Sequence, residues 1–228
     1  FSVQDPLRRL FGGWSPLVTM IGQNEEPTDF DLHCPLLSMP LGFATRAETI
    51  PSLPEGYLKV PAEEVATWQE KLPQGRRRIG VAWSGRPTHH NDANRSLSLM
   101  RLKGLVNAED SWISLQKDIR ESDRPTLEAL GLLDLSTAIH DFADTAALIS
   151  ALDVVITVDT SIAHLAGTLG KPCWVMLPFA PDFRWLLDRE DSPSYPSVRL
   201  FRQQRPGDWE GVIAVSYTHL RAHETKAN

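Results

Sequence analysis

The chain has 228 residues, 42% of them hydrophobic, enough for one good-sized domain or for one domain plus part of another. Its 23 basic and 29 acidic residues leave a net charge of −6, which argues against the basic face of a nucleic-acid binder. Two cysteines are too few for a disulfide scaffold, and no stretch reaches the roughly 18 apolar residues that cross a bilayer. Cys34 and Cys173 both lie among apolar residues and are expected to be buried, and their spacing is not that of a metal site. With no signal-peptide pattern before the first element, a reducing, cytoplasmic setting is the expectation.

In chain order, PLVTMIG (16–22) reads as a strand and FDLHCPLLSMPLGF (30–43) as a strand-to-helix element, followed by a Pro-rich connection through Pro51, Pro54 and Pro61. Residues 1–60 are too few for a core of their own and read as the last part of a preceding α/β domain. PAEEVATWQEKL (61–72) has Val65, Trp68 and Leu72 on one helical face. The run Arg76-Arg77-Arg78 reads as a solvated strand entry. From there strand and helix alternate. The expected strands are 76–85, 111–117, 131–136, 151–159, 171–179 and 197–203. The expected helices are 97–107, 123–130, 144–151 and 161–169, the third capped by Asp144 and Thr145.

Continuous apolar strands separated by helices predict a doubly wound parallel sheet, Rossmann-like, over residues 61–214. The last segment, VSYTHLRAHETKAN (215–228), is polar and has no partner element. It resembles a translated sequencing-adapter peptide, and it is expected to be a non-native tail that packs poorly. Its His219 and His223 therefore count toward no metal site.

In a doubly wound sheet, ligands bind beyond the C-terminal strand ends, where the strand order reverses. In the commonest order the strand ending at Ser84-Gly85 neighbours the strand ending at Asp159-Thr160-Ser161. A helix that starts with hydroxyl residues presents free N–H groups and a positive dipole end to a phosphate, although the same residues also serve as a plain helix cap. His164 lies one turn into that helix and leans toward its start; a histidine packed against the sheet is the competing reading. Gly167 and Gly170 suit close packing against the sheet and a C-terminal cap. Lys117 ends the second strand, either as a point charge for a diphosphate or as a solvated surface lysine. The polar loop 85–96 follows the first strand, and its adjacent His89 and His90 diverge too much for a metal pair. GxGxxG, GxxxxGK[ST], GxSxG and HExxH are all missing, which sets aside nicotinamide dehydrogenases, P-loop nucleotidases, serine hydrolases and zincins.

The segments IGVAWSGRPTHHNDANRS, SWISLQK, FADTAALISALD and VDTSIAHLAGTLGKP resemble the C-terminal domain of bacterial glycosyltransferases of GT-B fold. The likeness runs over roughly residues 30–214 and is nearest to tetratricopeptide-linked proteins similar to glycosyltransferase family 9 (the heptosyltransferases) and to O-linked N-acetylglucosamine transferase. It implies two Rossmann-like domains facing a cleft, with a nucleotide-diphosphate sugar as donor substrate and no resident cofactor or metal. By the same resemblance, Asp159, Thr160, Ser161 and His164 match the donor-phosphate loop and helix. Lys117, with Gln116 beside it, matches a phosphate- or nucleotide-contacting lysine. Ser84, Gly85 and Arg86 match the loop under the diphosphate, and Arg95 is a further carry-over. In the heptosyltransferases the acceptor-activating residue lies near the start of the N-terminal domain, which has no counterpart here. His33 is the candidate to face the cleft from residues 1–60, with a packed histidine as the alternative. The acceptor, whether a saccharide, a lipid-linked glycan or a protein, is not legible. The competing functions are a non-catalytic module that binds a nucleotide-sugar or a protein, and a nucleotide-sugar epimerase of the same fold.

Overall fold

The computed structural model describes residues 1–224, with only the backbone at residues 219 and 221–224. The N-terminal stretch holds β1 (Ser2–Val3), α1 (Arg8–Phe11), β2 (Ile21–Gly22) and α2 (Met39–Gly42), with β1 and β2 paired in parallel. After α3 (Ala62–Gln69) come β3 (Arg78–Ala82), α4 (Asp92–Arg95), β4 (Ser111–Ser114), α5 (Arg124–Leu130), β5 (Leu133–Asp134) and α6 (Phe142–Ser150). β6 (Val154–Val158), α7 (Ser161–Thr168), β7 (Cys173–Leu177), β8 (Val198–Arg202) and α8 (Trp209–Glu224) follow.

Strands β3 to β8 form one sheet in the order β5-β4-β3-β6-β7-β8, every neighbouring pair parallel. This is the doubly wound α/β architecture that the strand–helix alternation predicts. Because strand side chains alternate, each strand feeds two cores. Ile113, Val155, Cys173, Val175 and Leu177 pack with Trp68, Leu148 and Ala166 on one face. Ile79, Val81, Ile156, Val158, Trp174 and Met176 pack with Leu102, Leu127 and Val212 on the other. Each large apolar side chain contributes about 1.5–3 kcal/mol by leaving water, which makes these two layers the main source of stability.

Several local expectations change in the folded chain. Residues 97–107 are not an α-helix; Leu99–Gly104 is 3-10, fixed by burial of Leu99, Leu102 and Leu105. Helix α6 starts earlier than expected, and its cap is Asp141, whose Oδ1 accepts the amides of Ala143 and Asp144 at 2.9 and 3.0 Å. Asp144 instead accepts the His140 amide, and the Thr145 hydroxyl donates back to the Asp141 carbonyl. The arginine run is engaged rather than free, with Arg77 gripping Asp110 through two bonds of 2.9 and 2.8 Å.

Residues 215–220 do not pack poorly, contrary to the expectation for the tail. Helix α8 runs through them, with Ser216 and Leu220 buried and Leu220 joining the same core as Trp209, Val212 and Ile213. The spacing 209, 212, 213, 216, 220 continues one helical stripe, a period that the polar composition of the segment hides. Residues 225–228 lie outside the described residues.

Residues 30–43 form no strand. Every residue from Gln23 to Ala44 is exposed, Cys34 included, because the short segment has nothing to fold against. Its apolar side chains face water, Leu32 at 89% and Leu41 at 86% exposure, a contiguous run larger than stray surface residues would give. By contrast α1 is tied down. The Arg9 guanidinium donates to Asp141 at 2.8 and 2.7 Å and to Asp144 at 2.5 Å, with Glu64 at 3.1 Å, which holds the Asp141 carboxyl below its ordinary range.

The Asp141 cap sets a test. Asp141→Ala is expected to lower the unfolding free energy in urea by about 1 kcal/mol, and Asp141→Asn by less because asparagine still caps. Equal losses from the two variants would show that the Arg9 ion pair, not the cap, holds this corner.

Candidate functional site

The strand order reverses between β3 and β6, which pair from Ile79↔Val154 to Ala82↔Thr157. Their chains therefore leave the sheet side by side, one at Ser84-Gly85 and the other at Asp159-Thr160. That is the position at which such sheets bind ligands.

The loop after β3 folds back onto the strand end. The Gly85 amide donates to Ser96 Oγ at 2.9 Å, and the Ser96 hydroxyl donates to Asp92 Oδ1 at 2.7 Å. Arg120 closes the group with Nη2 at 2.6 Å from Asp92 Oδ2. The guanidinium of Arg95 lies directly over Gly85, where a Cβ would stand 2.7 Å from Arg95 Cζ. Arg95 Nη1 donates to the Asp159 carbonyl at 2.9 Å, so one guanidinium bridges the two strand ends. Glycine at residue 85 is what allows this approach.

Gln116 clamps Ser84 from the end of β4. Its Oε1 accepts the Ser84 amide at 3.3 Å and its Nε2 donates to the Ser84 carbonyl at 2.9 Å. The Ser84 hydroxyl is buried with no hydrogen-bond partner, as are Nε of Arg95 and Nε of Arg120. Three orphaned polar groups around one turn are unusual in a folded interior, where nearly all such groups are paired.

On the β6 side, Thr160 caps α7 by accepting the Ile162 amide at 3.3 Å, and Ser161 stands exposed at the first helical position. Asp159 is not free to meet a ligand. Its Oδ1 accepts the Trp185 indole N–H at 2.8 Å and its Oδ2 accepts the Asp182 amide at 3.4 Å. His164 stacks on fully buried Trp185, rings 4.9 Å apart and 14° from parallel, and its Nδ1 lies 3.2 Å from the Tyr195 hydroxyl. Burial pushes the His164 pKa down, partly opposed by Asp159. The Cα of Gly167 faces the Tyr195 ring, where a Cβ would stand 2.5 Å from Cγ, and Gly170 takes the positive φ of 66° expected after the helix end.

Ser84, Gly85, Arg95, Gln116, Asp159 and Thr160 thus gather around the two strand ends, with Ser161 and His164 following on α7. Three expected residues stand differently. The Lys117 ammonium does not reach for the Ser84-Gly85 turn; it donates to the carbonyls of Ile139 and His140 at 2.7 and 2.8 Å, bracing the entry to α6. Arg86 is exposed in the loop. His33 lies in an exposed stretch without strand or helix, and no hydrogen bond or ring contact among the described residues ties it to the strand ends. Contrary to the expected divergence, the exposed His89 and His90 stack on each other, ring centroids 4.5 Å apart; among the described residues no three His, Cys, Asp or Glu side chains group as a metal set. Asp92, Ser96, Arg120, Trp185 and Tyr195 join the site without having stood out in the sequence. The i, i+4 pair Asp92 and Ser96 carries a faint signal in the loop; Trp185 and Tyr195 carry none, since their partners lie 26 and 31 residues away.

The fold and this cluster define a doubly wound α/β domain with a cationic, partly unsatisfied polar site at its switch point. No family model matches the chain. It is 28% identical over 187 residues to Protein FlbA of Caulobacter vibrioides, a match covering 77% of this chain and 30% of that protein. Among solved structures, it is similar to a glycosyl transferase family 9 structure from Veillonella parvula, with a TM-score of 0.49 and 11% identity over 74% of this chain and 52% of that one. It is also similar to the ADP-heptose lps heptosyltransferase II of E. coli, with a TM-score of 0.47 and 15% identity over 73% and 54% of the two chains. The chain therefore spans about half of each solved structure and 30% of FlbA. Among the described residues no helix is long and apolar enough to cross a membrane.

Burial of His164 fixes the sign of a pH effect. Its folded pKa lies below the ordinary value of about 6.5, so the unfolded chain binds the proton more readily. The contribution is fully present above about pH 6.5 and is lost as pH falls through the folded value. Urea denaturation of the parent is expected to weaken more steeply than that of His164→Gln as pH drops from about 7 to about 5. Parallel curves would mean that His164 is as well solvated in the folded chain as in the unfolded one.

Proposed function

We propose that this chain is the nucleotide-sugar-binding part of a GT-B glycosyltransferase, one that moves a sugar from a nucleotide-diphosphate sugar to a saccharide, lipid-linked or protein acceptor. The observation that carries the reading is the buried, unpartnered Ser84 hydroxyl beside the Arg95 bridge between the two strand ends. A diphosphate supplies the acceptors that Ser84 and the guanidinium lack, and the start of α7 adds backbone N–H groups and its dipole. The resemblance of VDTSIAHLAG to the family's donor-phosphate loop and helix supports the same site.

The chemistry follows from charge. The bond between the sugar's anomeric carbon and the phosphate oxygen breaks through an oxocarbenium-like state, and negative charge gathers on the departing diphosphate. Donors fixed in advance at that position stabilise the charge without reorganising, each by about 2.7–4 kcal/mol. Arg95, the Ser84 hydroxyl, the Ser161 end of α7 and His164 are the residues assigned to this role. Gln116 and Asp159 hold the turn and the loop in place. Lys117 acts from outside the cluster, through the carbonyls it braces, and Arg86 is an exposed cation at the rim. His33 remains the candidate for the acceptor side. In this reading the exposed apolar run 30–43 packs on the remainder of an N-terminal domain, so the chain alone transfers no sugar.

Titration calorimetry with UDP, ADP and GDP tests the site. Arg95→Ala is expected to weaken the preferred diphosphate by about 1.5–3 kcal/mol, the worth of a hydrogen bond to a charged group. Lys117→Ala is expected to weaken it less, because its ammonium is already bonded to carbonyls. If Arg95→Ala and Ser84→Ala both bind every diphosphate as the parent does, the assignment fails.

A further inference from the structure

His164 is held by an aromatic stack and a phenol hydroxyl, and this holding bears on where its proton sits. The ring lies flat against Trp185, which is itself locked by the 2.8 Å bond from its indole N–H to Asp159. Tyr195 meets the same ring edge-on, centroids 5.8 Å apart, with its hydroxyl 3.2 Å from Nδ1. Tyr195 reaches this position because residue 167 is glycine: a Cβ there would stand 2.5 Å from Tyr195 Cγ. Trp185, Tyr195, Asp159 and Gly167 together set one imidazole.

The phenol has a single proton, and Nδ1 is the partner that the described residues give it. Burial raises the Tyr195 pKa, so the hydroxyl keeps that proton at neutral pH. Burial likewise lowers the His164 pKa, with Asp159 and Asp182 opposing and Arg184 reinforcing the shift. A neutral imidazole has one N–H, and a nitrogen that accepts from a phenol cannot carry it. Nε2 makes no hydrogen bond among the described residues.

We propose that Tyr195 is a positioning residue that donates to Nδ1 and so fixes His164 as the neutral Nε2–H tautomer, making His164 a hydrogen-bond donor to an anion rather than a proton acceptor. The inference rests on the donor-site reading for the identity of the anion, a diphosphate, but not for the tautomer. It assigns the histidine a role on the leaving-group side and removes it as a base for the acceptor.

The test is long-range nitrogen–proton NMR on the chain labelled with 15N-histidine, His164→Gln identifying the signals. The parent at neutral pH is expected to show an unprotonated Nδ1 and a protonated Nε2 before any ligand is added. Tyr195→Phe is expected to relax this to a mixture of tautomers. A protonated Nδ1 in the parent, or an unchanged Nε2–H tautomer in a folded Tyr195→Phe, overturns the proposal; the parent spectrum decides alone if the variant does not fold. UDP, ADP and GDP are then added in turn. Movement of the Nε2 signal, with binding on the order of ten-fold weaker in His164→Gln, is the expected response to a phosphate acceptor. The Nε2–H tautomer without any diphosphate response leaves the positioning intact and contradicts the donor-site reading instead.

Discussion

The site depends on how Asp159 is used. Its carboxylate binds the Trp185 indole and the Asp182 amide, and its carbonyl takes Arg95 from the loop after β3. One residue at the end of β6 therefore joins the β3 loop, the start of α7 and the segment after β7. The Trp185 bond is formed in a fully buried setting, where an unpaired carboxylate would be costly, so neither partner can leave without the other. The His164 stack on Trp185 and the course of residues 182–185 follow from that constraint.

Charge is arranged locally against the global balance. The chain carries a net charge of −6, yet two guanidiniums, Arg95 and Arg120, converge on the Gly85 turn. Asp92 meets Arg120 at 2.6 Å but Arg95 only at 3.9 Å, so the carboxylate holds Arg120 while Arg95 is held by the Asp159 carbonyl. The orphaned Ser84 hydroxyl sits in the same place. Unpartnered polar atoms are rare in folded interiors, and this turn holds three of them, on Ser84, Arg95 and Arg120. Leu186, which directly follows Trp185, adds a further local cost, with a φ of 54° in the left-handed region.

The sheet is legible in the sequence because β-branched runs such as Val154–Val158 and small-residue exits such as Ser84-Gly85 suit buried parallel strands and little else. The neighbouring positions of β3 and β6 follow from the commonest strand order. Where each polar side chain ends up is not legible in the same way. Lys117 has the position of a phosphate ligand, yet two backbone carbonyls from the connection to α6 claim it, and carbonyl positions leave no trace in composition. Asp144 has the spacing of a cap for α6, but Asp141 holds the extended backbone conformation that a cap needs. In residues 215–220 polar composition masks a helical stripe continued from Trp209. Cys34 and the apolar run around it have the composition of a buried segment, but burial needs a partner surface, and none is present among the described residues.

A crystal structure of the chain grown with the nucleoside diphosphate it prefers among UDP, ADP and GDP would test the central claim most directly. The diphosphate is expected between the Ser84-Gly85 turn and the start of α7, with Ser84 Oγ and Arg95 within hydrogen-bonding distance of its oxygens. A diphosphate bound elsewhere, with Ser84 still unpartnered and Arg95 untouched, would contradict the donor-site assignment.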